Sequence, residues 1–244
     1  ARSFSEETQF EAYKKVLQIM EDKPVTIRTL DAGGDKLINS VDLPNYDEKN
    51  PLMGLRAVRL SLAHPNVFKT QIRALYRAGL YGNLRIMLPL ITSVEQVRQC
   101  LAIIEEAKKE LDFEKIPYKA DIPIGIMVET AAAAIMSDCL AKVSDFFSLG
   151  TNDLTQYTLG IDRENMHVAG LYNEFSLAVL RLIQTTIISA ENAKILEKQL
   201  LESLLNLNFL SVQFAIEVVQ TENMTVKGWD DVEFKISTNP GEPI

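Results

Sequence analysis

Cysteine is scarce in this chain, with only Cys100 and Cys139 among 244 residues. So few exclude a disulfide-stapled scaffold. Both lie in apolar-periodic helical stretches, which predicts buried free thiols in a reducing cytoplasm. Long apolar runs are missing too. None approaches the roughly 18 residues that a membrane-spanning helix needs, and no signal peptide opens the chain. Positive charge is in deficit: the net charge is −8 and the pI about 5.0. That balance argues against an overall nucleic-acid-binding surface. Tandem repeats and low-complexity tracts are also lacking. What remains is an ordinary globular composition, 47% hydrophobic and 24% charged, long enough for one substantial core.

Apolar strands alternate with amphipathic helices. A helix opens at Ser5-Glu6-Glu7, with Phe10, Tyr13, Val16, Leu17 and Met20 at helical spacing. Strands are predicted over Val25–Leu30, Leu84–Ile91, Ile122–Glu129 and Val143–Leu149. Helices are expected from Asn50-Pro51, over Pro65–Ala78, from a Ser93 cap to about Leu111, over Thr130–Ala141, from about Asp153, and around Leu177–Ala190. Fully apolar strands suit a parallel sheet covered on both faces. The pattern predicts an α/β fold of the (β/α)8 TIM-barrel type.

Polar residues stand where these strands end, and that is where a parallel α/β fold carries its chemistry. The run Phe147-Ser148-Leu149-Gly150-Thr151-Asn152-Asp153-Leu154-Thr155-Gln156-Tyr157 is the centre of the chain. The Asn152 amide can donate to a phosphate or carboxylate, and the Asp153 carboxylate can hold Mg2+. Either residue could equally cap the following helix. Glu129 ends an apolar strand, so it must be hydrated, paired or metal-bound. Arg56 is either a surface charge or one jaw of an anion clamp. Asp31-Ala32-Gly33-Gly34-Asp35-Lys36 is a glycine-bearing loop that suits a ligand or a plain turn.

Five segments then occur in order: Arg28-Thr29-Leu30-Asp31-Ala32-Gly33-Gly34-Asp35-Lys36, Asn50-Pro51-Leu52-Met53-Gly54-Leu55-Arg56, Gly125-Ile126-Met127-Val128-Glu129-Thr130, Gly150-Thr151-Asn152-Asp153-Leu154-Thr155-Gln156-Tyr157, and Asp162-Arg163. Over residues 1–195 they resemble the phosphoenolpyruvate-binding barrel domain of Enzyme I. That family is the phosphoenolpyruvate–protein phosphotransferase of the bacterial sugar phosphotransferase system. The resemblance implies that Arg28, Arg56, Asn152, Asp153 and Arg163 bind phosphoenolpyruvate, and that Glu129 and Asp153 hold Mg2+. Planar guanidinium groups and hard carboxylate oxygens suit those roles. It further implies a cytoplasmic homodimer, with phosphoryl transfer to a histidine that serves a phosphocarrier protein through a domain outside this sequence.

The pattern is incomplete. The family's phosphohistidine and helical partner-binding domains precede its barrel and do not occur here. The chain opens after the family's first strand, and the Cys-Gly-Glu motif carrying the proton-donating cysteine is missing. Neither Cys100 nor Cys139 takes that role, and neither His64 nor His167 has the setting of the phosphorylated histidine. No catalytic residue is assigned, and the chain alone is expected to be inactive. The barrel is expected to lack its first and last strands or to have them replaced. Residues 196–244 form a divergent tail, with a helix over Ile195–Leu205 and strands near Thr225–Trp229 and Val232–Ile236 that could pair as a hairpin or fill a barrel gap. The alternative reading is a catalytically incomplete binding, regulatory or dimerisation module.

Overall fold

The computed structural model describes residues 5–32 and 48–193, together with the backbone of Asn223–Lys227 and Glu233–Ser237. Gly33, Gly34, Asp35 and Lys36, the helix expected over Ile195–Leu205 and the apolar run Phe209–Val219 lie outside the described residues.

Helix α1 (Glu6–Met20) starts where the Ser5 hydroxyl accepts a hydrogen bond from the Thr8 N–H, with Glu6 and Glu7 facing the positive helix end. Strand β1 (Pro24–Arg28) follows, and a 3-10 turn (Pro51–Met53) leads into α2 (Ala57–Ala63). Helix α3 (Pro65–Ala78) begins with proline at a position that needs no N–H. Strand β2 (Asn83–Leu88) and helix α4 (Val94–Glu114) come next, and the Ser93 hydroxyl caps α4 by accepting from the Gln96 N–H.

Strand β3 (Ile124–Val128) leads to α5 (Ala131–Ile135) and α6 (Ser137–Leu140), two short helices where one was expected. Strand β4 (Phe147–Leu149) is only the last part of the apolar run Val143–Leu149. It joins α7 (Thr151–Leu159), and α8 (Leu177–Asn192) is the last helix among the described residues.

The four strands pair in chain order, β1-β2-β3-β4, every pair parallel. Sequential parallel neighbours with helical crossovers are what consecutive β/α units produce. Leu84, Ile86, Leu88, Ile126, Val128, Phe147 and Leu149 are buried between the sheet and its helices. Gly125 is required inside β3, because a Cβ there would lie 2.3 Å from the Phe146 ring. The expected α/β class with parallel strands therefore holds for the described residues.

Strands β5 (Asn223–Lys227) and β6 (Glu233–Ser237) pair antiparallel with each other. That pairing agrees with the hairpin alternative of the sequence reading.

The outer layer is tied by charge. Arg73 on α3 is 9% exposed, with its Nε 2.6 Å from Glu6 of α1 and its Nη2 2.7 Å from Glu114 of α4. Arg77 bonds Glu6 and Glu7 at 2.6 and 2.8 Å. Both arginines thus face neighbouring carboxylates. Cys100 is buried, and burial pushes its thiol up to about 12. Cys139 departs from expectation: it is only partly buried, on short α6 beside exposed Asp138.

Candidate functional site

Parallel pairing brings the C-terminal ends of all four strands to one edge of the sheet. Arg28 is the last residue of β1, Glu129 directly follows β3, and Gly150 directly follows β4. The candidate residues gather along this edge.

Asp31 lies three residues beyond Arg28. Its Oδ2 is 3.0 Å from the Arg28 Nη1, and its Oδ1 is 3.2 Å from the Arg56 Nη2. Arg56 occupies the N-cap position of α2 with an extended backbone. Burial pulls its pKa down, but the nearby charges of Asp31, Tyr157 and Asp153 outweigh that and raise it. Its Nε is buried without a hydrogen-bond partner among the described residues. Arg28 reaches over the sheet edge to the Met127 sulfur, 3.7 Å away.

Glu129 is 2% exposed. Its Oε1 accepts a hydrogen bond from the Leu90 N–H. Leu90 holds φ +53°, a left-handed backbone uncommon for leucine, in the loop after β2. Thr130 fastens the same two loops, its hydroxyl donating to the Ile91 carbonyl at 2.9 Å. Burial pushes Glu129 up to about 8. The Leu90 N–H and Arg28 oppose that rise, while the charges of Asp153 and Asp31 add to it. Gly150 is close-packed on this carboxylate: a Cβ there would lie 2.6 Å from the Glu129 Cβ and 2.8 Å from its Oε2.

Asp153 sits in the first turn of α7, and its Oδ1 is 3.3 Å from the Arg163 Nη1. Gly160, at φ +65°, ends α7 in the left-handed conformation that glycine adopts without strain. The chain then turns back, and the Arg163 N–H donates to the buried Gln156 side chain at 3.1 Å. Two tyrosines anchor the surroundings. The Tyr157 hydroxyl donates to the Leu52 carbonyl in the 3-10 turn, and the Tyr172 hydroxyl donates to the Asn152 carbonyl at 3.2 Å.

Capping by Asn152 or Asp153 is not what forms. The N-cap of α7 is Gly150, with no side-chain cap. The two polar side chains therefore remain available for other partners, with Asn152 exposed and Asp153 paired to Arg163.

Residues 1–199 match the family described as PEP-utilising enzyme, PEP-binding domain. The chain belongs to this family. Among its curated relatives, the phosphoenolpyruvate-protein phosphotransferase of Priestia megaterium is 50% identical over 76% of this chain and 32% of its own length. The proteins of the same name from Geobacillus stearothermophilus and Staphylococcus epidermidis are 50% and 48% identical, over 76% and 75% of this chain and 32% of their own length. The chain thus spans about a third of the length of these relatives. A solved citrate lyase from Burkholderia xenovorans overlaps it with a TM-score of 0.42 at 17% identity, covering 75% of this chain and 48% of the other. That likeness is too low to carry weight.

Within this PEP-binding family member, Arg28 and Arg56 meet at one carboxylate, and Asp153 and Arg163 form a second pair. Glu129 lies within electrostatic reach of Asp153, Asp31 and Arg28. The sequence placed Asp31 in a loop suited to a ligand or a plain turn without naming its arginine partners, and it had no signal for the Leu90 N–H. The bond to Glu129 depends on the backbone angle of a residue three positions before the Ser93 cap, and no motif encodes that angle. Among the described residues no three His, Cys, Asp or Glu side chains converge as a metal cage. No helix of the described residues is long and apolar enough to cross a membrane.

Proposed function

We propose that this chain is the phosphoenolpyruvate-binding barrel part of an Enzyme I-type phosphotransferase. The observation that carries the reading is the pairing of three arginines with carboxylates along one strand-end edge: Arg28 and Arg56 on Asp31, and Arg163 on Asp153. Phosphoenolpyruvate carries a phosphate and a carboxylate. Guanidinium groups bind both kinds of oxyanion in forked hydrogen bonds. The Arg56 Nε, which has no partner among the described residues, is a donor that a ligand oxygen would satisfy. We read the parallel sheet as an arc of a (β/α)8 barrel, whose active sites lie at the C-terminal strand ends.

The donor set fits Mg2+. Glu129 and Asp153 present hard oxygens, and their mutual repulsion is part of what keeps Glu129 protonated. These two residues would hold the ion, with water and phosphate oxygens completing its shell. When bound, Mg2+ supplies charge neutralisation at the phosphate. The chain's own residues do the rest: Arg28, Arg56 and Arg163 orient the anion, and Asn152 offers an amide at its edge.

In the full reaction the enol-phosphate P–O bond breaks and a P–N bond to a histidine forms, while the enolate takes a proton to become pyruvate. That histidine, on a phosphocarrier-facing domain outside residues 1–244, completes the proposal, along with a homodimeric, cytoplasmic assembly in sugar uptake. Calorimetric titration with phosphoenolpyruvate, with and without Mg2+, tests the reading. Metal-dependent binding is expected. No binding by a folded sample would refute it.

A further inference from the structure

Asp31 is out of place in a site for an anion. A carboxylate between two guanidinium groups subtracts from their attraction for a negatively charged ligand. By charge alone, the site would be better without it.

Its geometry supplies a counter-reason. The two carboxylate oxygens are divided between two arginines, Oδ2 to Arg28 at 3.0 Å and Oδ1 to Arg56 at 3.2 Å. Those arginines come from different elements, the end of β1 and the start of α2. The Arg28 side chain is 43% exposed, and without a partner it would sample many rotamers. Ordering it only when the ligand arrives would weaken binding.

Asp31 is itself firmly held. Its side chain is 9% exposed. On one side, the Leu30 N–H donates to the buried Gln71 side chain of α3 at 2.9 Å. On the other, the Ala32 carbonyl accepts from the Ala57 N–H of α2 at 3.2 Å. A fixed carboxylate thus links an exposed cation, Arg28, to a largely buried one, Arg56, and leaves the remaining donors of each unengaged by it.

We propose that Asp31 is a positioning residue, presetting Arg28 and Arg56 at the separation required by an anion with a phosphate at one end and a carboxylate at the other. This rests on the phosphoenolpyruvate reading of the site and extends it to a residue whose ion pairs, among the described residues, are with the two arginines.

The test is calorimetric titration of the parent chain, Asp31→Asn and Asp31→Glu. Each is titrated with phosphoenolpyruvate plus Mg2+ and, separately, with inorganic phosphate plus Mg2+. Positioning predicts that Asp31→Asn binds phosphoenolpyruvate about tenfold or more weaker, although a negative charge has been removed. Phosphate, which has one anionic head, should weaken by less than about threefold. Asp31→Glu keeps the charge but moves it by one methylene, and should show the same selective loss. Should Asp31→Asn fail to fold, the ratio of the two losses in Asp31→Glu decides.

Unchanged or tighter phosphoenolpyruvate binding would overturn the inference and make Asp31 a plain opposing charge. Equal losses for both ligands would also overturn it, because a merely structural role weakens both alike. Failure of the folded parent chain to bind phosphoenolpyruvate would instead overturn the site reading itself, and this inference with it.

Discussion

The Asp153 carboxylate lies 3.3 Å from the Arg163 guanidinium, so the first turn of α7 is paired with the segment that follows the helix. In the proposed complex these partners separate, Asp153 turning to Mg2+ and Arg163 to the anion. The two single variants should therefore fail differently. Asp153→Ala is expected to abolish the Mg2+ dependence of phosphoenolpyruvate binding. Arg163→Ala should retain it while weakening affinity by roughly ten- to a hundredfold, the loss of one charge-assisted contact. Paired titrations with and without Mg2+ separate these outcomes.

Glu129 predicts a pH dependence. Burial raises its folded pKa from 4.5 to about 8, so the metal-free fold favours the protonated carboxyl. The stability it contributes is full below pH 4.5, declines as pH rises, and is gone above about pH 8. Glu129→Gln can still accept from the Leu90 N–H and has no charge to bury. Its thermal midpoint relative to the parent chain should rise from pH 5 to pH 9 on the order of several degrees. The same variant should lose Mg2+ binding. In the parent chain, Mg2+ affinity should increase with pH up to about 8 and then level off, because ion and proton compete for one carboxylate.

Gly150→Ala tests the packing beneath the carboxylate. The added methyl would stand 2.6 Å from the Glu129 Cβ, and neither backbone can yield without moving a strand end. Destabilisation of about 1–3 kcal/mol is expected from overpacking. Thermal unfolding would measure it, and loss of Mg2+ binding should accompany it as Glu129 is displaced. Parent-like Mg2+ affinity in this variant would show that Glu129 does not hold the ion.

The charge network on the outer helices should affect stability alone. Arg73 joins α1, α3 and α4 through Glu6, Glu110 and Glu114 and is nearly buried. Arg73→Ala leaves those carboxylates facing each other and should lower the thermal midpoint by roughly 3–8 °C. Phosphoenolpyruvate affinity, measured below the transition, should stay unchanged.

How far the sequence reached differs from element to element. Helix α3 spans Pro65–Ala78 as the proline start and apolar spacing require, and the Ser93 cap holds. Strand β4 is only three residues long although the predicted strand began at Val143, because Val143 packs on the core ahead of the ladder and polar Ser144 and Asp145 interrupt the apolar run. Thr130–Ala141 breaks into two helices at Met136, which periodicity alone did not mark.

The sequence by itself determined the alternation of strands and helices and the polar residues at the strand ends, because these follow from local spacing and side-chain chemistry. The motifs it carries were enough to identify the family. Only the tertiary structure decided the pairings: Asp31 with two arginines, Leu90 with Glu129, and Gly150 beneath that carboxylate. Except for Arg28, three residues from Asp31, these partners are far apart in the chain, and folding alone brings them to one edge of the sheet. Burial there, which no local pattern records, is what turns Glu129 from an ordinary acid into one that holds its proton to about pH 8.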